Sequence, residues 1–513
     1  MIVLIHQQGK KVKEVVRTSG ETIEVIATSC AKALLELSKT YPKECIIWCE
    51  EQLFPYIDEK KIKEVFHHKG VLASYTTGEA HFIPSAIEYI EDNPFHKINK
   101  KVRYPTWLMS TDIGGAYGVL LLHFKELLLQ NDSFGYVLNT ISKAGMPQGV
   151  FCYQVPLLKE NHPTIQSQKA TITELYRFTR AHYRLQWVFF LGVCLYRYEN
   201  KTTLLSLFKS LFYKRNTMSI SLDAEMIQSD RLINIQKEYD VIIPTMGREK
   251  YLFDVLQDFS KQTLLPNNVI IVEQNAIKDS VSALDYIESY TWPFPIAHYF
   301  IHQTGACNAR NMAIEKTKAP WVFFADDDNR FEADVVQRVF DSLEKYGVEA
   351  LTTSYLQAHE KQTETTIKQW QAFGAGNSFV KGTLARSTSF DMALEFGYGE
   401  DTDYGMQLRQ KGAEILYQPE ISLLHLKAPV GGFRKPVVFP WKDETIKPKP
   451  SPTVMYHKLK NTTTKQLKGY RLVLALKFYK RQSIKNPLRY RSYFRDAWKQ
   501  SLHWAAILKN NTL

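Results

Sequence analysis

Three consecutive carboxylates, Asp326-Asp327-Asp328, follow the apolar run Trp321 to Phe324 and Ala325. Adjacent Asp side chains repel one another, so a fold that keeps them together needs a cation or a strongly basic neighbour. If the apolar run is a buried strand, the acids lie at its carboxyl end, where open α/β sheets form their ligand crevice. Mg²⁺ or Mn²⁺ takes oxygen ligands from one or two carboxylates and completes its shell with substrate phosphates, so Asp326 and Asp328 could serve a nucleotide diphosphate. The plain alternative is a solvated acidic turn that caps the next helix, and Asp327 suits that role. A second acid pair, Glu400-Asp401, comes just before a helical stretch. One such carboxylate suffices as a general base for an attacking hydroxyl. The alternative is that the helix dipole alone favours these acids, Asp403 included. Gly397 and Gly399 would let a substrate approach the backbone closely. His425 is either a core histidine satisfied by a backbone carbonyl or a ligand that biases a metal site toward Mn²⁺.

These residues need a frame, and hydrophobic periodicity supplies one. From Ile235 onward the pattern reads strand (Tyr239 to Thr245), helix (Glu249 to Ser260), strand (Val269 to Glu273), helix (Asn308 to Lys316), then the Trp321 strand. That succession is the first half of a doubly wound nucleotide-binding sheet. A helix (Ala333 to Tyr346), a strand (Glu349 to Thr353), a helix from Tyr404 ending at Gly412, and strands at Ile415 and Leu423 follow. Residues 1–232 also alternate, with strands expected at Ile2 to Ile5, Ile23 to Ile26 and Glu44 to Trp48, and helices at Cys30 to Ser38 and Tyr117 to Leu129. No acid pair, ligand cluster or phosphate loop stands out there. Beyond Pro440 the prolines 448, 450 and 452 read as a linker into a basic helical tail, with a helix over Gln466 to Lys480.

The 513 residues are too many for one ordinary core, and three regions are expected: 1–232, 233–440 and 441–513. The net charge of +12 is uneven, because Trp441 to Leu513 holds 12 Lys and 5 Arg against 3 acids, +14, which leaves about −2 for the rest. A basic tail on a near-neutral body implies an anionic surface, nucleic acid or membrane, as partner. Six cysteines with no CxxC spacing argue against a disulfide framework or zinc site and suit a reducing, cytoplasmic setting. The longest apolar run, Trp187 to Tyr196, is about half of a bilayer span. Met1 to His6 is too short for a signal peptide.

The motifs of the second region resemble, in order, those of family 2 glycosyltransferases of the GT-A fold: VIIPTMGR (241–248), VIIVEQN (269–275), GACNARNMAI (305–314), FFADDDN (323–329), FGYGEDTDYGMQLRQKG (396–412) and LLHLKAP (423–429). The fifth is also similar to the Gly-Glu-Asp block of galactosyltransferase C-terminal regions. The resemblance implies that Pro244, Thr245, Arg248 and Glu273 line a nucleoside pocket and that Arg310 faces the donor. It implies that Asp326 contacts the donor sugar or ribose and shares metal duty, that Asp328 binds Mn²⁺ or Mg²⁺, and that His425 completes the shell. Asp401 is then the base with Glu400 beside it, in an inverting transfer. One departure is that the second strand ends in Glu273-Gln274-Asn275 where Asp is usual, which bears on whether the nucleotide is UDP. The implied partners are a nucleotide-diphosphate sugar, UDP-sugar favoured, and a glycan or lipid-linked acceptor, with no nucleic acid. The Pro-Ser-Pro-Thr segment (450–453) before a basic amphipathic end resembles bacterial members acting in surface polysaccharide synthesis, and residues 465–513 suit an anionic membrane surface. The implied location is cytoplasmic or peripheral on the inner face of the cell membrane. Two rivals are a sugar nucleotidyltransferase, which needs a Gly-rich phosphate loop that Pro244 to Gly247 does not provide, and a non-catalytic carbohydrate- or membrane-binding protein. Finally, Tyr136 to Pro156 can be laid over Tyr404 to Pro419, which would make the first region a degenerate relative with Ser133 near the base position; a chance likeness of helix-Gly-strand units explains the match equally well.

Overall fold

The β-branched and aromatic runs become strands, and the strands form two sheets. The computed structural model describes residues 1–231, 235–429 and 438–510. By contacts the chain divides into two compact units, Met1–Leu232 with Thr463–Gly469, and Ile233–Thr462 with Tyr470–Leu513. The expected boundary at 232/233 lies outside the described residues.

The first unit holds β1 (Ile2–Gln7), β2 (Lys11–Arg17), β3 (Cys45–Glu50), β4 (Val71–Tyr75), β5 (Tyr104–Pro105), β6 (Ile113–Tyr117) and β7 (Phe151–Gln154). They form a seven-stranded sheet in the order β2-β1-β3-β6-β4-β7-β5. The expected strand at Ile23 to Ile26 is absent; Thr22 makes only an isolated bridge to Val16. The charged run Lys11–Arg17 takes the sheet edge instead, antiparallel to β1, because an edge strand tolerates a solvated face. The expected helix Tyr117 to Leu129 is divided: Tyr117 closes β6, and short helices Gly118–Leu122 and Lys125–Leu128 flank a break at His123-Phe124. Its unbroken apolarity came from burial on several sides, not from one continuous helix.

The second unit holds β8 (Tyr239–Thr245), β9 (Asn268–Gln274), β10 (Ile296–Ile301), β11 (Trp321–Ala325), β12 (Asn329–Arg330), β13 (Ala350–Leu356), β14 (Lys368–Gln369), β15 (Asn377–Lys381) and β16 (Ile415–His425). The sheet order is β10-β9-β8-β11-β15-β13-β16-β12, with β14 on β16. β10, β9, β8 and β11 run parallel, and β15 is antiparallel to both of its neighbours. β10 is a half-exposed strand that hydropathy had not singled out, so the acidic triplet follows the fourth strand of this unit rather than the third. The core beneath the triplet packs Ile242, Val272 and Phe324 with Phe373, Phe390 and Tyr404, the last two stacked at 4.3 Å.

The tail is more structured than one helix. Helices Pro452–Asn461, Thr464–Tyr479 and Pro487–Asn510 follow one another, and the first packs against the third. Ser501 Oγ donates to the Pro450 carbonyl at 2.7 Å, which ties the last helix to the Pro-Ser-Pro-Thr segment.

Candidate active site

A cavity of about 330 Å³ opens at the carboxyl ends of β8 and β11. Pro244, Thr245, Arg248, Arg310, Asp326, Asp328, Glu400, Asp401 and His425 all line it, joined by Met246, Gln274, Ala306, Asp327 and Lys427. Strand ends deliver the first acids, a helix start delivers the second pair, and β16 delivers the histidine.

Asp327 and Asp328 are both buried and both face Arg248 Nη1, which lies 3.3 Å from Asp328 Oδ2 and closer to Asp327. Asp327 accepts from Thr245 Oγ1 at 2.7 Å and from Arg248 Nη1 at 2.6 Å. It does not start a helix, since the next one begins at Val335 with Asp334 at its cap. Burial pushes the Asp327 carboxyl up to about 6, and Arg248 opposes that shift. Asp326 instead accepts from Arg310 Nη2 at 3.1 Å and Tyr355 Oη at 3.2 Å. Gly376 passes directly beside it, and a Cβ there would collide with the carboxylate.

Asp328 is fixed by its backbone. Its carbonyl accepts from Leu426 N–H at 3.0 Å, and its Oδ2 accepts from Ala428 N–H at 2.9 Å. The pairing of Asn329 with His425 across β12 and β16 brings His425 Nε2 to 3.7 Å from Asp328 Oδ1. His425 is no satisfied core residue; it keeps 28 % of its side chain exposed and stacks on Tyr355 at 4.4 Å.

Glu400 and Asp401 occupy the first turn of the helix Glu400–Gln410 rather than the residues before it. Arg310 bridges the two acid sets, because its Nη1 lies 4.0 Å from Asp401 Oδ1 while Nη2 serves Asp326. Asp401 Oδ1 is buried without a hydrogen-bond partner, yet 40 % of the side chain remains accessible, so its other edge meets the cavity. Burial raises the Asp401 carboxyl above the ordinary range; Arg310 pulls it down, while Glu400 and Asp326 push it further up. A carboxylate with a raised pKa, one free edge and a fixed orientation is suited to accept a proton.

Glu273 is the predicted residue that the structure does not bring to the cavity. It is held by His298 Nε2 at 2.9 Å, Ser282 Oγ at 2.6 Å and Ala283 N–H at 3.2 Å. Strand alternation turns Gln274 to the cavity instead, where its Oε1 accepts from Gly305 N–H at 2.5 Å. Gly397 and Gly399 also have a different purpose from substrate approach. Thr453 fills the space over Gly397, and a Cβ at Gly399, whose φ is +104°, would lie 2.9 Å from the His457 ring. The helix Pro452–Asn461 thus packs on the segment that leads to the base. Lys460 and Asn461 each reach Asp403 at 2.8 Å, a buried role well beyond dipole compensation.

Three contributors escaped the sequence reading. Tyr355 carried no motif of its own, and Lys427 lies within the 423–429 motif but was not assigned a role there. Glu395 accepts from Cys307 N–H at 3.0 Å and Asn308 N–H at 2.8 Å, so it caps the helix that carries Arg310 from 88 residues away in sequence. A cap that arrives from so far along the chain leaves no local signal.

Residues 240–394 match the family model described as Glycosyl transferase family 2. This segment is a family 2 glycosyltransferase domain. An uncharacterized glycosyltransferase of Haemophilus influenzae is 28 % identical to the chain over 105 residues, which is 20 % of this chain and 34 % of that protein. The chain therefore spans about a third of the length of the curated relative it matches. Among solved structures, residues 1–349 of S. aureus TarS in complex with UDP-GlcNAc align at 15 % identity and a TM-score of 0.37, over 52 % of this chain and 81 % of that one. The mannosyltransferase PcManGT from Pyrobaculum calidifontis, in complex with GDP-Man and Mn²⁺, aligns at 13 % identity and a TM-score of 0.29, over 53 % and 73 %.

The glycosyltransferase domain also bears on a metal. Among the described residues no group of three or more His, Cys, Asp or Glu side chains is arranged to hold an ion. Asp328 and His425 nevertheless put one carboxylate and one imidazole on the same wall of the cavity. That donor set fits an ion that takes its remaining ligands from a diphosphate. Asp326 is committed to Arg310 and Tyr355, which suits it better to hydroxyl recognition than to ligation.

Proposed function

We propose that this chain transfers a sugar from a nucleotide-diphosphate sugar to a hydroxyl of a glycan or lipid-linked acceptor, with inversion at the anomeric carbon. The observation that supports this most is the convergence on one cavity of Asp401 with Asp326, Arg310 and Asp328, mostly within the family 2 domain. Asp401 takes the acceptor proton as the oxygen attacks. Arg310 holds Asp401 and Asp326 in a fixed relation, and Asp326 accepts from hydroxyls of the donor sugar or ribose. Pro244, Thr245 and Arg248 line the nucleoside side, and Lys427 offers a cation to the phosphates. Mn²⁺ or Mg²⁺, held by Asp328 and His425, would neutralise charge that develops on the leaving diphosphate. UDP-sugars are the first donors to test. The first unit is read as non-catalytic, with a structural or acceptor-binding role. The setting is read as cytoplasmic, peripheral to the inner face of the membrane, in surface polysaccharide or glycoconjugate synthesis. Among the described residues no helix is long and apolar enough to cross a membrane.

A nucleotide-sugar panel with Mn²⁺, scored by release of free nucleotide diphosphate, tests the reading. At least one donor is expected to turn over with wild-type protein, and EDTA is expected to abolish that turnover. Activity undiminished after rigorous EDTA treatment would remove the metal from the mechanism, and a product whose new linkage keeps the donor's anomeric configuration would overturn the inversion.

A further inference from the structure

The helices Leu185–Glu199 and Leu204–Ser210 of the first unit are apolar on two faces. One face is core: Val188, Leu191, Cys194 and Leu195 are fully buried, and Leu207 packs against Gly192. The other face is open. Leu185, Phe189, Val193 and Tyr196 recur at spacings of four, four and three, which places them on one stripe of the first helix. Leu204, Leu205 and Phe208 continue the exposure along the second helix, and Phe212 and Tyr213 extend it into the following turn. Tyr196 is 68 % exposed, Leu205 71 % and Phe212 90 %. Singly exposed apolar residues are ordinary, but seven on one pair of touching helices with two more in the turn that follows form a patch of the kind that marks an interaction surface.

The charge around the patch selects the partner. Between Leu175 and Leu222 the chain carries eight Lys and Arg residues and a single acid, Glu199. That acid is already paired with Lys201 and Lys465. Arg184, Arg197, Lys201, Lys209, Lys214 and Arg215 are all exposed. Exposed aromatic and aliphatic side chains ringed by cations match an anionic bilayer, which takes the apolar groups below its headgroups and pairs its phosphates with the basic rim. The tail presents much less: on its two last helices only Leu476 and Leu488 are exposed large apolar residues among those described.

We propose that the helix pair Leu185–Ser210 with Phe212 and Tyr213, rather than the C-terminal tail, is the surface by which this protein lies on an anionic membrane. This does not depend on the transferase reading. The test is co-sedimentation of the full-length protein with phosphatidylcholine vesicles, with and without phosphatidylglycerol. Wild-type protein is expected to sediment with the anionic vesicles. The double variant Phe208→Ser/Phe212→Ser should lose about tenfold or more in vesicle affinity while it keeps wild-type turnover of a soluble donor. Lys209→Gln and Lys214→Gln should each cost about fivefold, on anionic vesicles only. Leu476→Ser/Leu488→Ser should sediment like wild type. The proposal is overturned if wild-type protein stays in solution, or if Phe208→Ser/Phe212→Ser binds undiminished. It is equally overturned if that variant only dissolves a dimer that binds no vesicles, because a second copy would then be what covers the face.

Discussion

The two units share a succession of five strands and put it to opposite use. In the first, β1 runs parallel to β3, β6 is antiparallel to β3 and β4, and β7 runs parallel to β4. In the second, β8, β11, β15, β13 and β16 repeat that succession in the same chain order. After β1 and after β8 stands a glycine with left-handed backbone, Gly9 at φ +65° and Gly247 at +62°. The helix Phe134–Gly145 and β7 likewise correspond to the helix Glu400–Gln410 and β16, each pair linked through a left-handed glycine, Gly149 or Gly412. The common pattern stops at these five strands, because β2 lies antiparallel to β1 whereas β9 lies parallel to β8.

Register then shows where they part. Cys49 pairs with Ile113 as Ala325 pairs with Asn377, so Glu50 stands where Asp326 does and Asp112 where Gly376 does. Gly376 has no side chain, and the carboxylate of Asp326 faces a cavity. Asp112 is buried and accepts from Thr77 N–H at 2.9 Å, Thr77 Oγ1 at 2.8 Å and Ser167 Oγ at 2.5 Å. Glu50 is committed to Gln8 N–H at 2.7 Å and lies beside His6 at 3.1 Å. At the base position Ser133 spends its hydroxyl on Glu174 at 3.0 Å. An acid at a strand end becomes a site only where its neighbours leave an edge of it unsatisfied and a space in front of it; otherwise it is a staple for loops.

The strongest way to break this comparison is at the two base positions. Asp401→Asn should lower transfer by about 10²–10⁴-fold with donor binding, read by thermal shift, retained, whereas Ser133→Ala should leave transfer unchanged. Full transfer by Asp401→Asn would end the base assignment. Next, Gly376→Asp copies the first unit into the second. The new side chain has no room beside Asp326, so both donor thermal shift and turnover should be lost while the circular dichroism spectrum stays folded. Its mirror, Asp112→Ala, should leave turnover alone and cost about 1–3 kcal/mol in denaturant unfolding, because Thr77 and Ser167 lose a buried acceptor.

A pH–rate profile sharpens the electrostatic side. Asp401 must be ionised to act as base, and its pKa is raised by burial and further by Glu400 and Asp326. The value of kcat/KM should therefore fall as pH drops through a pKa above the ordinary ~4 of an aspartate. Glu400→Gln removes one like charge, so the falling limb should move to lower pH; a limb that stays in place would separate Glu400 from the base. The smallest effect is expected from the supporting helix: Gly399→Ala meets both the +104° φ and the His457 ring, and should cost about 1–3 kcal/mol of stability. It should also depress kcat more than KM, since it displaces the turn that aims Asp401.

The sequence alone determined the strands at β1, β3, β8, β9, β11 and β13, because buried strands advertise themselves as short apolar runs between turn residues. It also determined the acids, since a charge cluster at the end of an apolar run needs a partner and is legible without coordinates. Tertiary structure decided what those acids do. Asp327 became the anchor of Arg248 and Thr245 and not a helix start, and Glu273 turned away while Gln274 turned in. Glu395 and Tyr355 entered the site from 88 and 29 residues away from the groups they hold. The glycines at 397 and 399 proved to make room for Thr453 and His457, and the Pro-Ser-Pro-Thr segment starts the helix that uses that room. In each case the deciding contact joins residues far apart in the chain, and whether a polar edge is left open depends on every neighbour at once. Local spacing encodes which residues could react; only packing settles which of them keep a free lone pair and a space to use it.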